Sequence, residues 1–263
     1  MPNNFKAILL EQDDDGLHAS IKELQPDMLP EGDVTVKVAY SSLNYKDGLA
    51  VTGKGKIIRS FPMVPGIDLA GTVTESGSPD YRPGDEVVLT GWGVGERYWG
   101  GYTQLNRVQS KWLVPLPRGL SLKQAMGIGT AGFTAMLCVM ALEKHGLTPD
   151  AGEVLVTGAA GGVGSIACAV LANLGYTVIA STGRIEAHDY LRGLGVSDFI
   201  ARSELSTPSK RPLESARWAG AVDTVAGDTL ASVLKAMSPH ASVAACGNAS
   251  GRGPCRVMTP ILR

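Results

Sequence analysis

The sequence predicts an α/β chain in two parts, an antiparallel β-rich domain over residues 1–118 and a doubly wound parallel sheet over 119–263. Two observations carry this. Nine of the fifteen prolines lie between Pro2 and Pro117, and none follows until Pro149. Short strand patterns punctuated by turns fill the first part, whereas from Glu153 onward strand and helix patterns alternate.

In the first part, Val34-Thr35-Val36-Lys37-Val38-Ala39-Tyr40, Ala70-Gly71-Thr72-Val73-Thr74 and Asp85-Glu86-Val87-Val88-Leu89 read as short strands, and Pro83-Gly84-Asp85 as a turn. Ala131 to Leu142 is the most apolar run; at 12 residues, interrupted by Gly132 and Thr134, it is too short to span a bilayer and predicts a buried helix. Glu153 to Thr157, a glycine turn, a helix from Ser165 to Leu174 and a strand from Tyr176 to Ser181 form a βαβ unit. A helix over 187–194, strands over 198–201 and 221–225, a helix over 229–237 and a strand over 241–246 extend it to five strands. Their apolar runs lack polar alternation, as expected of parallel strands covered on both faces.

Charge balance excludes whole classes of function. With 24 Lys+Arg against 25 Asp+Glu, the net charge of -1 argues against capture of nucleic acid or an anionic membrane. Four cysteines without a CxxC pair suit a reducing compartment, and Asp13, Asp14 and Asp15 interrupt the start of the chain where a secretory segment is apolar; a cytoplasmic location is expected. Glycine is in excess, 33 of 263 residues, which calls for tight turns or close backbone approaches.

One of those turns carries chemistry. Thr157-Gly158-Ala159-Ala160-Gly161-Gly162-Val163-Gly164 lies between a strand and a helix and fits a dinucleotide-binding turn of the Rossmann type, with Ala159 in place of its first glycine. Gly161 would let the backbone approach a pyrophosphate, Gly164 would let helix and strand pack, and the helix amides of the turn would face the diphosphate. An NAD site places a carboxylate at the end of the second strand. Here Ser181-Thr182-Gly183-Arg184 occupies that end, and Arg184, 20 residues beyond Gly164, suits a 2′-phosphate. NADPH is therefore the expected cofactor, with Arg202 past the third strand as a second phosphate ligand.

Ser41-Ser42-Leu43-Asn44-Tyr45-Lys46-Asp47, Pro65-Gly66-Ile67-Asp68-Leu69-Ala70-Gly71, Gly129-Thr130-Ala131-Gly132-Phe133-Thr134-Ala135 and Trp218-Ala219-Gly220-Ala221-Val222-Asp223-Thr224-Val225, with the nucleotide turn, resemble the medium-chain dehydrogenase/reductase family. Within it they resemble the NADPH-dependent acrylyl-CoA reductase branch, often labelled quinone oxidoreductase. The resemblance runs from about Lys6 to Asn248. It implies a GroES-like first domain, a Rossmann second domain, and two-electron reduction of an activated double bond in an enoyl-CoA, a quinone or another enone. It also implies cofactor contacts at Tyr45, Thr130, Ala160, Gly161, Gly162, Val163, Gly164, Ser181, Thr182, Gly183, Arg184, Arg202 and Asn248. Alcohol dehydrogenases of the family hold zinc where this chain has Asn44 and Ile67, and no cysteine precedes Cys138, so no metal is expected.

Without a metal, donors must meet the enolate oxygen that develops as hydride reaches the β-carbon. Tyr45 and Asn44 are the candidates, with Asp47 orienting Lys46 or the loop. The segment from Gly91 to Tyr102 resembles the family's cleft-lining loop, and Arg97 within it is a candidate contact for a CoA phosphate. The family's sheet has six strands; five fit before Arg263, so the last strand is expected to be missing, and with it the family's edge-paired dimer. Residues 250–260 depart from the family pattern, while Ile261-Leu262-Arg263 resembles it again. Two alternatives stand beside this reading: a non-catalytic NADPH-binding protein or an inactive truncated reductase, and a short-chain reductase. The second lacks its signature, since none of the seven tyrosines has a lysine four residues on.

Overall fold

A computed structural model describes residues 4–207 and 211–251. The divergent segment from residue 252, Cys255 included, lies outside the described residues. The chain divides into two compact units, Met1–Thr130 and Ala131–Arg263.

The first unit begins with an antiparallel hairpin, β1 (Phe5–Asp13) and β2 (Gly16–Leu24). A five-stranded antiparallel sheet follows, formed by β3 (Val34–Tyr40), β4 (Asp68–Ser76), β5 (Glu86–Thr90), β6 (Leu105–Val108) and β7 (Val114–Pro115) in the order β6-β3-β4-β5-β7. Side chains of period two make its core: in β5, Val87 and Leu89 are fully buried while Glu86 faces water. Val34, Val36, Leu69 and Val73 complete the same layer. Between β3 and β4 the chain forms a short helix, α1 (Tyr45–Val51), where the sequence suggested only a loop. The carboxylate of Asp47 accepts the Asn44 N–H at 2.9 Å, half of a capping box that starts the helix at Tyr45.

The element α2 (Leu122–Lys144) is twice the length of the apolar run seen in the sequence, and by length and composition it could cross a membrane. Gly129, at φ 48° and ψ -160°, breaks it into two helices. Beyond the break Ala135, Cys138, Val139 and Leu142 enter the core of the second unit. The expectation of a wholly buried helix fails on the other face, where Phe133, Met136, Leu137 and Met140 are exposed.

The second unit is the doubly wound sheet. Its strands are β8 (Glu153–Thr157), β9 (Thr177–Thr182), β10 (Asp198–Ala201), β11 (Trp218–Asp223) and β12 (Met237–Ala245), all parallel in the order β10-β9-β8-β11-β12. The helices α3 (Gly162–Asn173), α4 (His188–Gly193), α5 (Arg202–Ser206) and α6 (Gly227–Lys235) connect them. Val154, Leu155 and Val156 of β8 are fully buried. Burying such side chains is worth about 1.5–3 kcal/mol each, which explains why the centre of the sheet is a run without polar alternation. The order reverses between β8 and β11, the position at which open α/β sheets bind ligands at their carboxyl ends.

Gly164 tests how tightly this packing is specified. A Cβ there would lie 2.4 Å from the Gly158 carbonyl oxygen and 2.7 Å from the Ala159 Cα. In an open helix Gly→Ala gains about 1 kcal/mol; at Gly164 the clash reverses the sign, and G164A is expected to lose about 2 kcal/mol in urea unfolding. Gly193, with open space around it, is the control, and G193A is expected not to destabilise the protein.

Candidate active-site residues

In the second unit, the site begins where β8 ends. The buried Thr157 hydroxyl donates to Asp223 Oδ1 at 2.6 Å and accepts the Thr224 N–H at 3.1 Å. Thr224 Oγ1 donates to the Thr157 carbonyl at 2.9 Å, and Asp223 Oδ2 accepts the Ala226 N–H at 2.8 Å. The carboxyl ends of β8 and β11 are thus pinned together at the switch point. Between Thr157 and α3 the chain turns on Gly158, at φ 59°, where a Cβ would lie 2.2 Å from Thr224 Oγ1. The tight-turn role therefore falls to Gly158 and not to position 159: Ala159 is fully buried and donates its N–H to the Ser181 carbonyl. Gly161 caps α3, and Gly161 and Gly162 are exposed. The first amides of a helix have no intrahelical partner and favour an anion. With Ala160 and Val163 half-buried beside them, the turn fits a diphosphate.

The end of β9 divides the residues expected at the ribose. Ser181 is buried, Thr182 Oγ1 accepts the Arg184 N–H at 3.1 Å, and Gly183 and Arg184 are exposed. The side chain of Arg202 runs alongside Gly183, its Cδ 3.4 Å and its Nη1 3.8 Å from where a Cβ would sit. Among the described residues neither arginine pairs with a carboxylate. Two free guanidinium groups bracket a strand end that carries no acid, a fit for a phosphate on the ribose. Asn248 is exposed past β12, where its carbonyl accepts the Gly251 N–H.

The first unit holds a separate polar cluster around Asp68, the first residue of β4 and fully buried. Its Oδ1 accepts the Thr130 hydroxyl at 2.5 Å, and its Oδ2 accepts the Thr130 N–H at 3.0 Å, the Asn44 side-chain amide at 3.0 Å and the Ser42 hydroxyl. A Cβ on Gly129 would lie 2.9 Å from Oδ2, so the break in α2 is where the backbone approaches this carboxylate. Asn44 spends its second amide hydrogen on Ser42 Oγ at 2.8 Å. That corrects the expectation of Asn44 as a free donor: both its hydrogens are committed. Asp47, also buried, accepts the N–H groups of Asn44 and Ile67 at 2.9 and 3.0 Å and so fixes the loop, while Lys46 turns to Glu96 at 3.2 Å instead. Tyr45 is the exception. It is 71% exposed and its hydroxyl has no hydrogen-bond partner among the described residues. Tyr102 donates to the Ser42 carbonyl at 3.1 Å, and burial, with Asp47 next, holds its phenol above the ordinary value and so protonated.

Asp68 and Ser42 stand within sequence motifs that by themselves give them no task. A signal was present: an aspartate beginning Asp68-Leu69-Ala70, a run otherwise fit for a sheet core, has to be buried with partners. As for metal, the groups that converge on Asp68 are hydroxyls and amides and not the thiolates and imidazoles that zinc takes. Among the described residues no three His, Cys, Asp or Glu gather. This cluster does not fit a zinc site.

A β-rich unit with a buried polar cluster, followed by a Rossmann unit with a diphosphate turn, defines a two-domain nucleotide-dependent oxidoreductase. Comparison with known proteins is specific. Residues 30–118 match the alcohol dehydrogenase GroES-like domain, and residues 162–263 the zinc-binding dehydrogenase domain. The chain is 56% identical over 262 residues to acrylyl-CoA reductase AcuI of Ruegeria pomeroyi, covering 98% of this chain and 79% of the relative. It is similar to the yhdH oxidoreductase of Salmonella enterica, solved in complex with NADP, at 57% identity and TM-score 0.93 over 98% of this chain and 79% of that one. It is also similar to Bacillus subtilis YhfP, a putative quinone oxidoreductase 46% identical over 264 residues, covering 100% of this chain and 80% of the relative. The YhfP crystal structure, with NAD bound, aligns at TM-score 0.90 and 44% identity over 98% of this chain and 78% of that one. The chain belongs to the medium-chain dehydrogenase/reductase family, in its zinc-independent branch.

Asp68 offers a direct test of the cluster. In D68N the amide keeps its oxygen toward the Thr130 N–H, Asn44 and Ser42 only by turning its NH2 to the Thr130 hydroxyl, which must then reverse and accept, and every bond that the ionised carboxylate strengthened becomes a neutral one. A loss of about 2 kcal/mol is expected by thermal unfolding; a variant as stable as the parent would show that the donors do not hold the carboxylate.

Proposed function

We propose that this protein reduces an activated carbon–carbon double bond of an α,β-unsaturated thioester, quinone or other enone with NADPH. One observation carries the reading: a diphosphate turn is followed by a strand end with two unpaired arginines and no acid. Arg184 and Arg202 would hold the 2′-phosphate, and the first amides of α3, which begins at the exposed Gly162, the diphosphate. The names of the relatives support the same chemistry, and the structure of the Salmonella relative in complex with NADP supports the cofactor. Three free cysteines among the described residues, Cys138, Cys168 and Cys246, suit a reducing cytoplasm.

NADPH, when bound, supplies a hydride to the β-carbon of the acceptor. The protein must then meet negative charge on the carbonyl oxygen until the α-carbon takes a proton. Tyr45 is the group suited to this task, because its hydroxyl is exposed and uncommitted. Asn44 and Asp47 serve it indirectly by fixing the start of α1, from which Tyr45 projects. Ser42 and Thr130 are held by Asp68, so the polar groups of this cluster are preset and need no reorganisation as charge develops.

Initial rates of NADPH oxidation with acrylyl-CoA, a quinone and a simple enone test the reading; oxidation of NADPH by none of the three would overturn it. In R184A the KM for NADPH is expected to rise at least tenfold with that for NADH nearly unchanged, and equal losses would remove Arg184 from the 2′-phosphate site. In Y45F turnover is expected to fall at least tenfold with the melting temperature unchanged; unaltered kinetics would remove Tyr45 from the mechanism.

A further inference from the structure

Two thiols of the second unit meet where β12 ends. Cys138 lies on α2, 6% exposed, in the core that it shares with Ala135, Val139 and Val222 and against which Ala244 of β12 packs. Cys246 is exposed and follows β12 directly. Its N–H and its Sγ both reach the Asp223 carbonyl, at 2.9 and 3.5 Å. Its side chain also hydrogen-bonds that of Cys138, so the one thiol hydrogen of Cys246 faces two acceptors, a carbonyl oxygen and a sulfur. This hydrogen bond holds the Cys138 thiol below its ordinary value, against the effect of burial, and holds the donor Cys246 above it. The pair loses its first proton as a unit, and the hydrogen that remains can pass between the sulfurs. Cys168 on α3 is of the opposite kind: it is fully buried, and burial pushes its thiol up to about 12, which makes it inert.

The pair stands against the residues that fix the nucleotide turn. Beyond Cys246 the backbone runs along the end of β11: the Ala249 N–H donates to the Thr224 carbonyl at 3.4 Å and the Ser250 N–H to the Val225 carbonyl at 2.9 Å. A Cβ on Gly247 would clash with the Thr224 carbonyl, so the two segments are pressed together there. Asp223 and Thr224 are the residues bonded to Thr157, from which the turn starts.

The other thiol leads to the same place by a second route. Ala131 and Cys138 lie two helical turns apart on one face of α2, with the fully buried Ala135 between them. Ala131 sits so near the start of α3 that a Cβ on Gly162 would lie 3.2 Å from its own Cβ. A shift of α2 or of the segment after β12 therefore reaches the diphosphate turn, from one side through Gly162 and from the other through Thr224.

We propose that Cys138 and Cys246 form a peroxide-sensitive disulfide whose closure weakens dinucleotide binding. With the shared hydrogen on Cys138, the exposed sulfur of Cys246 attacks hydrogen peroxide: a sulfur–oxygen bond forms, the oxygen–oxygen bond breaks, and the hydroxide released takes the proton that the pair gave up and leaves as water. Cys138 Sγ then attacks Cys246 Sγ; the sulfur–sulfur bond forms as the sulfur–oxygen bond breaks, and the hydroxyl leaves with the Cys138 proton as a second water. Two thiols are oxidised and one peroxide is reduced to two waters. Joining the sulfurs draws the segment after β12 toward α2 and off the Thr224 carbonyl, which loosens the start of the turn. A dithiol reductant reopens the bond by exchange. The effect on the cofactor rests on the proposed use of NADPH; the disulfide itself does not.

The test treats the full, reduced chain with hydrogen peroxide and maps it with trypsin, which leaves the four cysteines on separate peptides, Cys138 on 124–144 and Cys246 on 236–252. Those two peptides are expected to be cross-linked after peroxide and to separate with dithiothreitol. In a fluorescence titration the oxidised chain is expected to bind NADPH at least about tenfold more weakly than the reduced one, and amide hydrogen exchange over 158–164 is expected to quicken. In C246S and in C138A, peroxide is expected to leave the affinity for NADPH within about twofold of that of the same variant untreated. Oxidation of Cys246 to sulfinic or sulfonic acid without a cross-link, a cross-link from Cys246 to Cys255 in place of Cys138, or a cross-linked chain with unchanged affinity and exchange overturns the proposal. If the reduced chain does not bind NADPH, the proposed reaction fails on its own terms, and the peptide map with the exchange over 158–164 still decides the switch.

Discussion

Burying a carboxylate without a cation is the constraint around which both units are organised. Asp47, Asp68 and Asp223 are each at most 1% exposed, and none meets a lysine, arginine or histidine among the described residues. An ionised carboxylate taken out of water costs several kcal/mol unless hydrogen bonds replace its hydration. The replacement comes from neutral donors with short reach: backbone N–H groups and the side chains of Ser, Thr and Asn. Short donors force backbone to come close, and that demand shapes the loops. Gly129 breaks α2 where the chain must approach Asp68, and Gly158 turns tightly where Thr224 must bond Thr157 beside Asp223.

The two polar centres thereby do different work with one device. Asp223 ties β8 to β11 across the switch point and so fixes where the diphosphate turn begins. Asp68 and Asp47 tie Ser42, Asn44, Thr130 and Ile67 to the start of β4, which leaves Tyr45 as the hydroxyl with nothing to hold. A hydrogen-bond donor aimed at a developing charge is effective when its surroundings are already set. The committed groups supply that setting, and the uncommitted one supplies the contact.

Much of this was legible in the sequence for identifiable reasons. Proline placement and the change from short strands to strand–helix alternation gave the two parts, and fully apolar runs such as Glu153-Val154-Leu155-Val156-Thr157 gave buried parallel strands. Helix starts were less legible: α3 begins at Gly162, three residues before Ser165, because glycines that favour turns by propensity are recruited here as the helix's exposed first residues. The start of α1 was hidden because Asp47 caps it by reaching back to Asn44, which only the folded loop reveals. The role of Asn44 is hidden for a related reason. One of its amide hydrogens goes to Asp68, 24 positions away, a partner that only the fold supplies. The apolar run from Ala131 read as buried throughout, yet Phe133 and Met140 face outward, because apolar composition does not say which side of a helix is covered.

The most direct test of the account follows the hydride. With NADPH deuterated at the transferable C4 position and acrylyl-CoA as acceptor, the account predicts propionyl-CoA bearing one deuterium at the β-carbon, read by mass spectrometry and proton NMR. Deuterium at the α-carbon, or a product without it while NADPH is consumed, would contradict hydride delivery to the β-carbon, and with it the role assigned to the hydroxyl of Tyr45.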